Sequence, residues 1–156
     1  MADRGYKPTR LFTIEQANAM LPLVRAITAD LAQVAQEVVE RRNRLKFLTA
    51  GRELKIGDPY ADELTQIEKE IEKDASRLQE YVAELRELGV EPKGAIDGLI
   101  DFPSRMDRKI VFLCWKLGEP EVTHWHPIDA GFTGRQSLVA GSVAGGDETD
   151  SDAFEV

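Results

Sequence analysis

The chain holds one cysteine and two histidines in 156 residues. A single cysteine excludes an internal disulfide, so nothing here asks for an oxidising compartment. No stretch approaches the roughly 18 apolar residues that a membrane-spanning helix needs. Residues 1–10 are polar and lack the apolar core of a secretory signal. A reduced, cytoplasmic setting is the expectation, with no membrane partner. Positive charge is scarce as well: 20 basic residues stand against 28 acidic ones, a net −8. Asp147, Glu148, Asp150, Asp152 and Glu155 fall within residues 139–156, which contain no Lys or Arg. The rest of the chain is only mildly acidic and shows no separate basic patch, so no nucleic-acid partner is expected. The glycines match neither a phosphate loop nor a dinucleotide fingerprint, and there is no Ser-His-Asp order or nucleophile elbow.

What the chain does have is heptad periodicity. Residues 1–11 read as a loose lead-in. Thr13 and Gln16 then form a capping-box pattern. Behind it run Ala17, Val24, Leu31, Val38 and Leu45, interleaved with Met20, Ile27, Val34, Arg41 and Leu48. Such a stripe predicts a long helix, with Pro22 expected to kink it or split off a short first helix. Gly51, Gly57 and Pro59 mark a loop. A second run follows: Leu64, Ile71, Leu78 and Leu85, with Ile67, Asp74, Tyr81 and Leu88, and Gly89 as a C-cap candidate. Two long amphipathic helices on a short loop pack as an antiparallel hairpin. Setting Leu48 against Leu64 brings the two polar seam residues, Arg41 and Asp74, within about one turn of each other, and they are expected to pair. Charge agrees, since residues 14–48 carry five basic and four acidic groups and residues 60–88 four and nine.

Past Gly89 the period changes. Residues 99–102, 109–116 and 121–126 read as three strands, rich in β-branched and aromatic side chains. Pro103-Ser104 with Asp107, and Gly118-Glu119-Pro120, read as the turns between them. The expected fold is α+β: a long antiparallel, coiled-coil-like helical hairpin (residues 13–89) packed on a small three-stranded antiparallel meander (residues 96–138). Residues 1–138 make one domain, followed by a disordered acidic tail over 139–156.

The chemistry gathers in thirteen residues, Cys114-Trp115 and His124-Trp125-His126, which contain the only cysteine and all the tryptophans and histidines. On a strand, His124 and His126 point to the same face. Two imidazoles and a thiol are a plausible ligand set for zinc or another transition-metal ion. Cys114 joins them in only one family of registers. A three-residue turn puts the thiol on their face, whereas a two- or four-residue turn puts it opposite Thr123, facing away. The opposing reading is packing: free cysteine is often a small buried hydrophobe, and Trp115 and Trp125 suit a core. Arg135, Trp125 and Asp101 are the ligand-binding candidates nearby. Arg135 has the shape to clamp a carboxylate or phosphate, or else pins its own loop.

Several stretches together resemble a known family. They are Leu99-Ile100-Asp101-Phe102-Pro103, Val111 through Glu119 with its Cys-Trp-Lys, Trp125-His126, and Gly131-Phe132-Thr133-Gly134-Arg135. The opening Phe12-Thr13-Ile14-Glu15-Gln16-Ala17-Asn18 with Leu21-Pro22 is similar too. The chain resembles, over roughly residues 11–138, the bacterial domain of unknown function 2203. That resemblance implies no particular substrate, cofactor or reaction. It singles out Cys114, His126 and Arg135, because the place of His124 is often an aromatic in that pattern.

Two functions are therefore expected of different kinds. One is a homo-oligomeric binding module that self-associates through the helices. The other is a small metal-binding protein, or metal-dependent enzyme, with a site at Cys114, His124 and His126. A metal-independent enzyme using His126 and a nearby carboxylate is a third. Whether the chain is an enzyme stays open at this point.

Overall fold

The computed structural model describes residues 6–51 and 57–138. The tail over 139–156 thus lies outside the described residues, as do parts of the lead-in and of the interhelical loop. The elements are helix α1 (Ile14–Thr49), helix α2 (Ala61–Glu87), and strands β1 (Glu91–Gly94), β2 (Leu99–Met106), β3 (Lys109–Lys116), β4 (His124–Pro127) and β5 (Gln136–Ser137). A single 3-10 turn, Phe132–Gly134, precedes β5. The α+β class holds. The sheet, however, has five antiparallel strands in sequence order rather than three. Both extra strands are short and sit at the edges. β1, Glu-Pro-Lys-Gly, has a loop composition and is a strand only because β2 supplies its partners.

Helix α1 begins as its sequence demands. Gln16 N–H donates to Thr13 Oγ1 at 3.0 Å, and Thr13 N–H donates back to Gln16 Oε1 at 2.9 Å. The helix then runs without a break through Pro22 for 36 residues, about 54 Å at 1.5 Å per residue. The proline removes one bond, to the Asn18 carbonyl. Ala17, Leu21 and Val24, all buried around it, hold the turn in place through packing. The Arg41–Asp74 pair is present, with Asp74 buried and Arg41 one-third exposed. Glu70 and Glu37 lie beside the guanidinium at 3.4 and 3.8 Å. Further along, Arg44 Nη2 reaches Glu63 at 2.9 Å. These contacts give the helices their antiparallel register.

One core lies between the first half of α1, the end of α2 and one face of the sheet: Leu21, Val24, Leu31, Leu85, Ile100, Phe102, Leu113 and Trp115. A second, smaller cluster of Leu48, Leu64 and Ile67 belongs to the far end of the hairpin alone. Strand alternation therefore sends Ile100, Phe102, Leu113, Trp115 and Trp125 toward the helices. It sends Asp101, Phe112, Cys114, His124 and His126 to the opposite face.

One turn differs from expectation. Pro103 does not end β2; it pairs with Phe112 inside the strand. Its carbonyl accepts from Phe12 N at 2.7 Å, on the side away from β3, so the missing proline N–H costs no bond of the β2–β3 ladder. The turn comes later, at Asp107 and Arg108, whose φ values of 50° and 68° are those of a two-residue type I′ hairpin. Gly98 is required by space: at φ +69° its Cβ would stand 2.5 Å from Leu117 Cβ.

Removing the Arg41 guanidinium leaves the Asp74 carboxylate buried with only Arg77, at 3.7 Å, for company. Arg41→Leu is expected to cost about 1–2 kcal/mol in urea denaturation, discounted from the buried-pair range because Arg41 is partly wet. Arg44→Leu, at an exposed pair, is expected to stay within about 0.5 kcal/mol. Equal losses in the two variants would contradict a special role for Asp74.

Candidate functional site

The register of β3 on β4 decides which face Cys114 takes. Cys114 pairs with His124 and Phe112 with His126, while on the other side Asp101 of β2 pairs with Cys114. All four groups of interest, Asp101, Cys114, His124 and His126, therefore share the face away from the helices. The register is held from outside the strands. In the connection over residues 117–123, Glu119 Oε1 accepts from Lys116 N and the Glu119 carbonyl accepts from Trp115 Nε1, each at 2.9 Å. Helix α1 contributes too: Asn18 Oδ1 accepts from Val122 N at 2.7 Å, and Arg25 Nη2 donates to the Pro120 carbonyl at 3.2 Å.

Three of the four groups converge. One ligating atom each from Asp101, Cys114 and His126 lies within 4.8 Å of the others. The residues are 3, 1 and 2 % exposed. His126 leans diagonally across β3 so that Nε2 meets both Asp101 carboxylate oxygens at 3.1 Å, while Nδ1 donates to the Pro127 carbonyl at 2.7 Å. Both ring nitrogens thus face oxygen acceptors. Burial alone pulls the pKa of His126 down. The Asp101 carboxylate, the Cys114 side chain and the Pro127 carbonyl outweigh it and push the pKa up to about 10. The shift favours the imidazolium form, with Nε2 facing the Asp101 carboxylate.

This geometry is not that of a nucleophile–base–acid relay. Such a relay uses one ring nitrogen for the nucleophile and the other for the carboxylate. Here Nδ1 is committed to a backbone carbonyl, and Nε2 alone faces both the carboxylate and the thiol side. The same geometry does suit metal ligation. One nitrogen points into a group of S, N and O donors, and the other is fixed by a backbone carbonyl, the usual way that a ligating histidine is oriented. Thiolate, imidazole and carboxylate together fit zinc or a similar borderline ion.

His124 is not part of the converging group. Its Nδ1 lies 2.9 Å from Thr123 Oγ1, and its ring is half-buried toward Arg135. Burial and the Arg135 charge hold its pKa below the usual imidazole value, against an opposing pull from Glu119. Arg135 pins the connection: its Nη2 donates to Glu119 Oε2 at 2.6 Å, and its guanidinium lies over the Phe132 ring at 4.6 Å. Trp125 points to the helix side, where it packs on the core and lines a surface pocket with Met106, Val111 and Ile128. Neither Trp125 nor Arg135 joins the Asp101 group.

One residue near the site went unread in the sequence. Tyr6 lies edge-on to Phe112, ring centroids 5.4 Å apart, and Phe112 in turn contacts His126 at 5.6 Å. Burial, then the charges of Glu91 and Asp101, push the Tyr6 phenol up to about 12. No periodicity or spacing marks a lone tyrosine in a polar lead-in. The one local signal was Phe12, an apolar residue just before the Thr13 cap.

With this geometry in hand, comparison with known proteins adds one decisive match. The profile described as Uncharacterized conserved protein (DUF2203) matches residues 10–138. The chain belongs to the DUF2203 family. The DUF2203 match takes in Asp101, Cys114, His126 and Arg135 and begins after Tyr6. No curated protein and no solved structure matches the chain.

The raised pKa of His126 makes a signed prediction. Its ordinary value is 6.5 and its folded value about 10. The stabilisation is complete below the ordinary value and is lost as pH rises through the folded one. Urea stability is therefore expected to fall as pH climbs from neutral toward 10, and Asp101→Asn is expected to flatten that slope. A slope unchanged by Asp101→Asn would remove the charged pair.

Proposed function

We propose that this is a small metal-binding protein whose centre is Asp101, Cys114 and His126, with a zinc-like divalent ion as the natural occupant. The observation that carries this reading is the convergence of three different ligand types within 4.8 Å on one buried patch of sheet. In the metal-free state, the Nε2 proton of His126 bridges to Asp101. Asp101, Cys114 and His126 would hold the ion, and binding would release that proton and any proton on Cys114. Affinity therefore rises with pH. Asp101 changes from hydrogen-bond acceptor to ligand without leaving its strand. Three protein donors leave a fourth position for water or a substrate atom, the pattern of a reactive centre rather than a closed structural one. His124 remains outside this set.

The test is a titration of tag-free protein with zinc and with cobalt, read by calorimetry and by the thiolate–cobalt charge-transfer absorption. Wild type is expected to bind one equivalent. Cys114→Ser and Asp101→Asn are each expected to weaken binding by more than about 100-fold, beyond the usual effect of a change outside the ligand shell. Circular dichroism establishes that the variants fold. Binding of equal strength in wild type and both variants would overturn the assignment.

A second reading concerns the hairpin and rests on its far end. There the core is only Leu48, Leu64 and Ile67, Leu45 and Ile71 are half-exposed beside it, and Phe47 is 72 % exposed. Two helices bury one seam between them and leave this apolar surface for another helical surface. A second copy of the chain, adding its own hairpin in a coiled-coil-like bundle, is the proposed partner. Light scattering is expected to give a dimer for wild type and a monomer for the folded double variant Phe47→Glu, Ile71→Glu. A monomeric wild type at about 50 μM, where a micromolar complex is mostly formed, would dismiss it.

A further inference from the structure

Asp101, Cys114 and His126 are all but sealed, at 3, 1 and 2 % exposure. A buried centre needs an entrance, and the sheet itself offers none. Strands β2, β3 and β4 are hydrogen-bonded neighbours, and the helices close their other face. Over the Asp101 face, among the described residues, the start of the chain lies at the Phe112 end, and Phe132 and Arg135 lie beside Lys116 and His124 at the other. Tyr6 leans on Phe112, and Phe112 leans on His126. Lys93 Nζ stands 4.6 Å from the same Phe112 ring.

Among the described residues, the backbone of this stretch is hydrogen-bonded to the sheet at one end. Phe12 is 2 % exposed, its N–H donates to the Pro103 carbonyl at 2.7 Å, and its carbonyl accepts from Ser104 Oγ at 2.6 Å. Its ring meets Phe102 edge-on at 5.3 Å. Between Tyr6 and that anchor, among the described residues, no backbone hydrogen bond ties the stretch to the sheet. Tyr6 is therefore the main attachment over the site, and it is an aromatic edge contact rather than a hydrogen-bonded ladder. Such a contact opens far more readily than the strands beneath it.

We propose that residues 6–10 are a hinged cover, anchored at Phe12 and latched by Tyr6 on Phe112, whose opening admits reagents to the Cys114 thiol. For the metal, this rests on the reading of Asp101, Cys114 and His126 as ligands: the cover then sets how fast an ion enters and leaves, without supplying a ligand. The cover lies almost wholly outside the span matched by the family, whereas the three groups lie inside it.

Cys114 is the only cysteine, so thiol alkylation reads one position and needs no metal. Tyr6→Ala is expected to speed labelling by iodoacetamide about tenfold, in line with the loss of one aromatic edge contact and its half-buried ring. The gain is expected to be larger for a bulky maleimide, because a cover discriminates by size. Leu64→Ala, in the separate cluster at the hairpin end, serves as a stability control and is expected to leave labelling unchanged. Zinc uptake followed by stopped flow is expected to quicken in Tyr6→Ala, with the final stoichiometry unaltered. Labelling that is unaffected by Tyr6→Ala overturns the cover, whatever the metal result. So does an equal gain in Leu64→Ala, which would mean that the thiol is reached by general unfolding. Faster labelling in a protein that takes up no zinc upholds the cover and removes the metal reading.

Discussion

An aspartate and a histidine face each other across the sheet with almost no water around either, and most of what is distinctive in this fold serves that encounter. Desolvating both charges costs several kcal/mol per ion, and the attraction between them repays it only when every remaining polar atom is satisfied. Here it is. Nε2 meets the carboxylate, Nδ1 meets the Pro127 carbonyl, and the ring lies against Phe112. Each of those partners comes from a different place in the chain. The pair therefore requires β2, β3 and β4 in one alignment, and a slip by one residue would exchange the polar face for Trp115 and Leu113. Alignment of the sheet and chemistry of the site are the same property.

Helix α1 secures that alignment from behind. Asn18 and Arg25 reach over to the β3–β4 connection, and Glu119 fastens the connection to Lys116, Trp115 and Arg135. Arg135 takes part in this framework through its Nη2 bond to Glu119. The arginine acts at a distance: it holds Glu119, Glu119 holds the end of β3, and Cys114 lies two residues back from that end. Its guanidinium is thus engaged by Glu119 and by the Phe132 ring.

The helices were legible because their period is local. Heptads, the Thr13–Gln16 box and the polar interruptions at Arg41 and Asp74 each depend on residues a few positions apart, and the observed pairing of Arg41 with Asp74 follows from simple counting along two rods. Strand β3 was legible for a similar reason, being long, apolar and β-branched. The rest depended on contacts distant in sequence. β1 is a strand because of what lies beside it, and Pro103 stays in β2 because its nitrogen points to the open side. The turn at Asp107 and Arg108 needs positive φ at two residues that carry side chains, and the sequence offers no glycine there to announce it. At the site, Cys114 and His126 stood out by rarity. Asp101 was named only beside Arg135 and Trp125 until its register placed it next to them, and His124 shares their face without reaching the point where they meet. Tyr6 carried no signal at all.

The length of α1 has a mechanical meaning. Its first half lies on the sheet and its last turns carry a small apolar cluster of their own, yet the backbone between them is one continuous helix with no joint, even at Pro22. The turns beside Leu48 at the remote tip and those that carry Asn18 and Arg25 to the strand junction are therefore parts of one uninterrupted element, so the two ends of the molecule are spaced by a single piece of backbone.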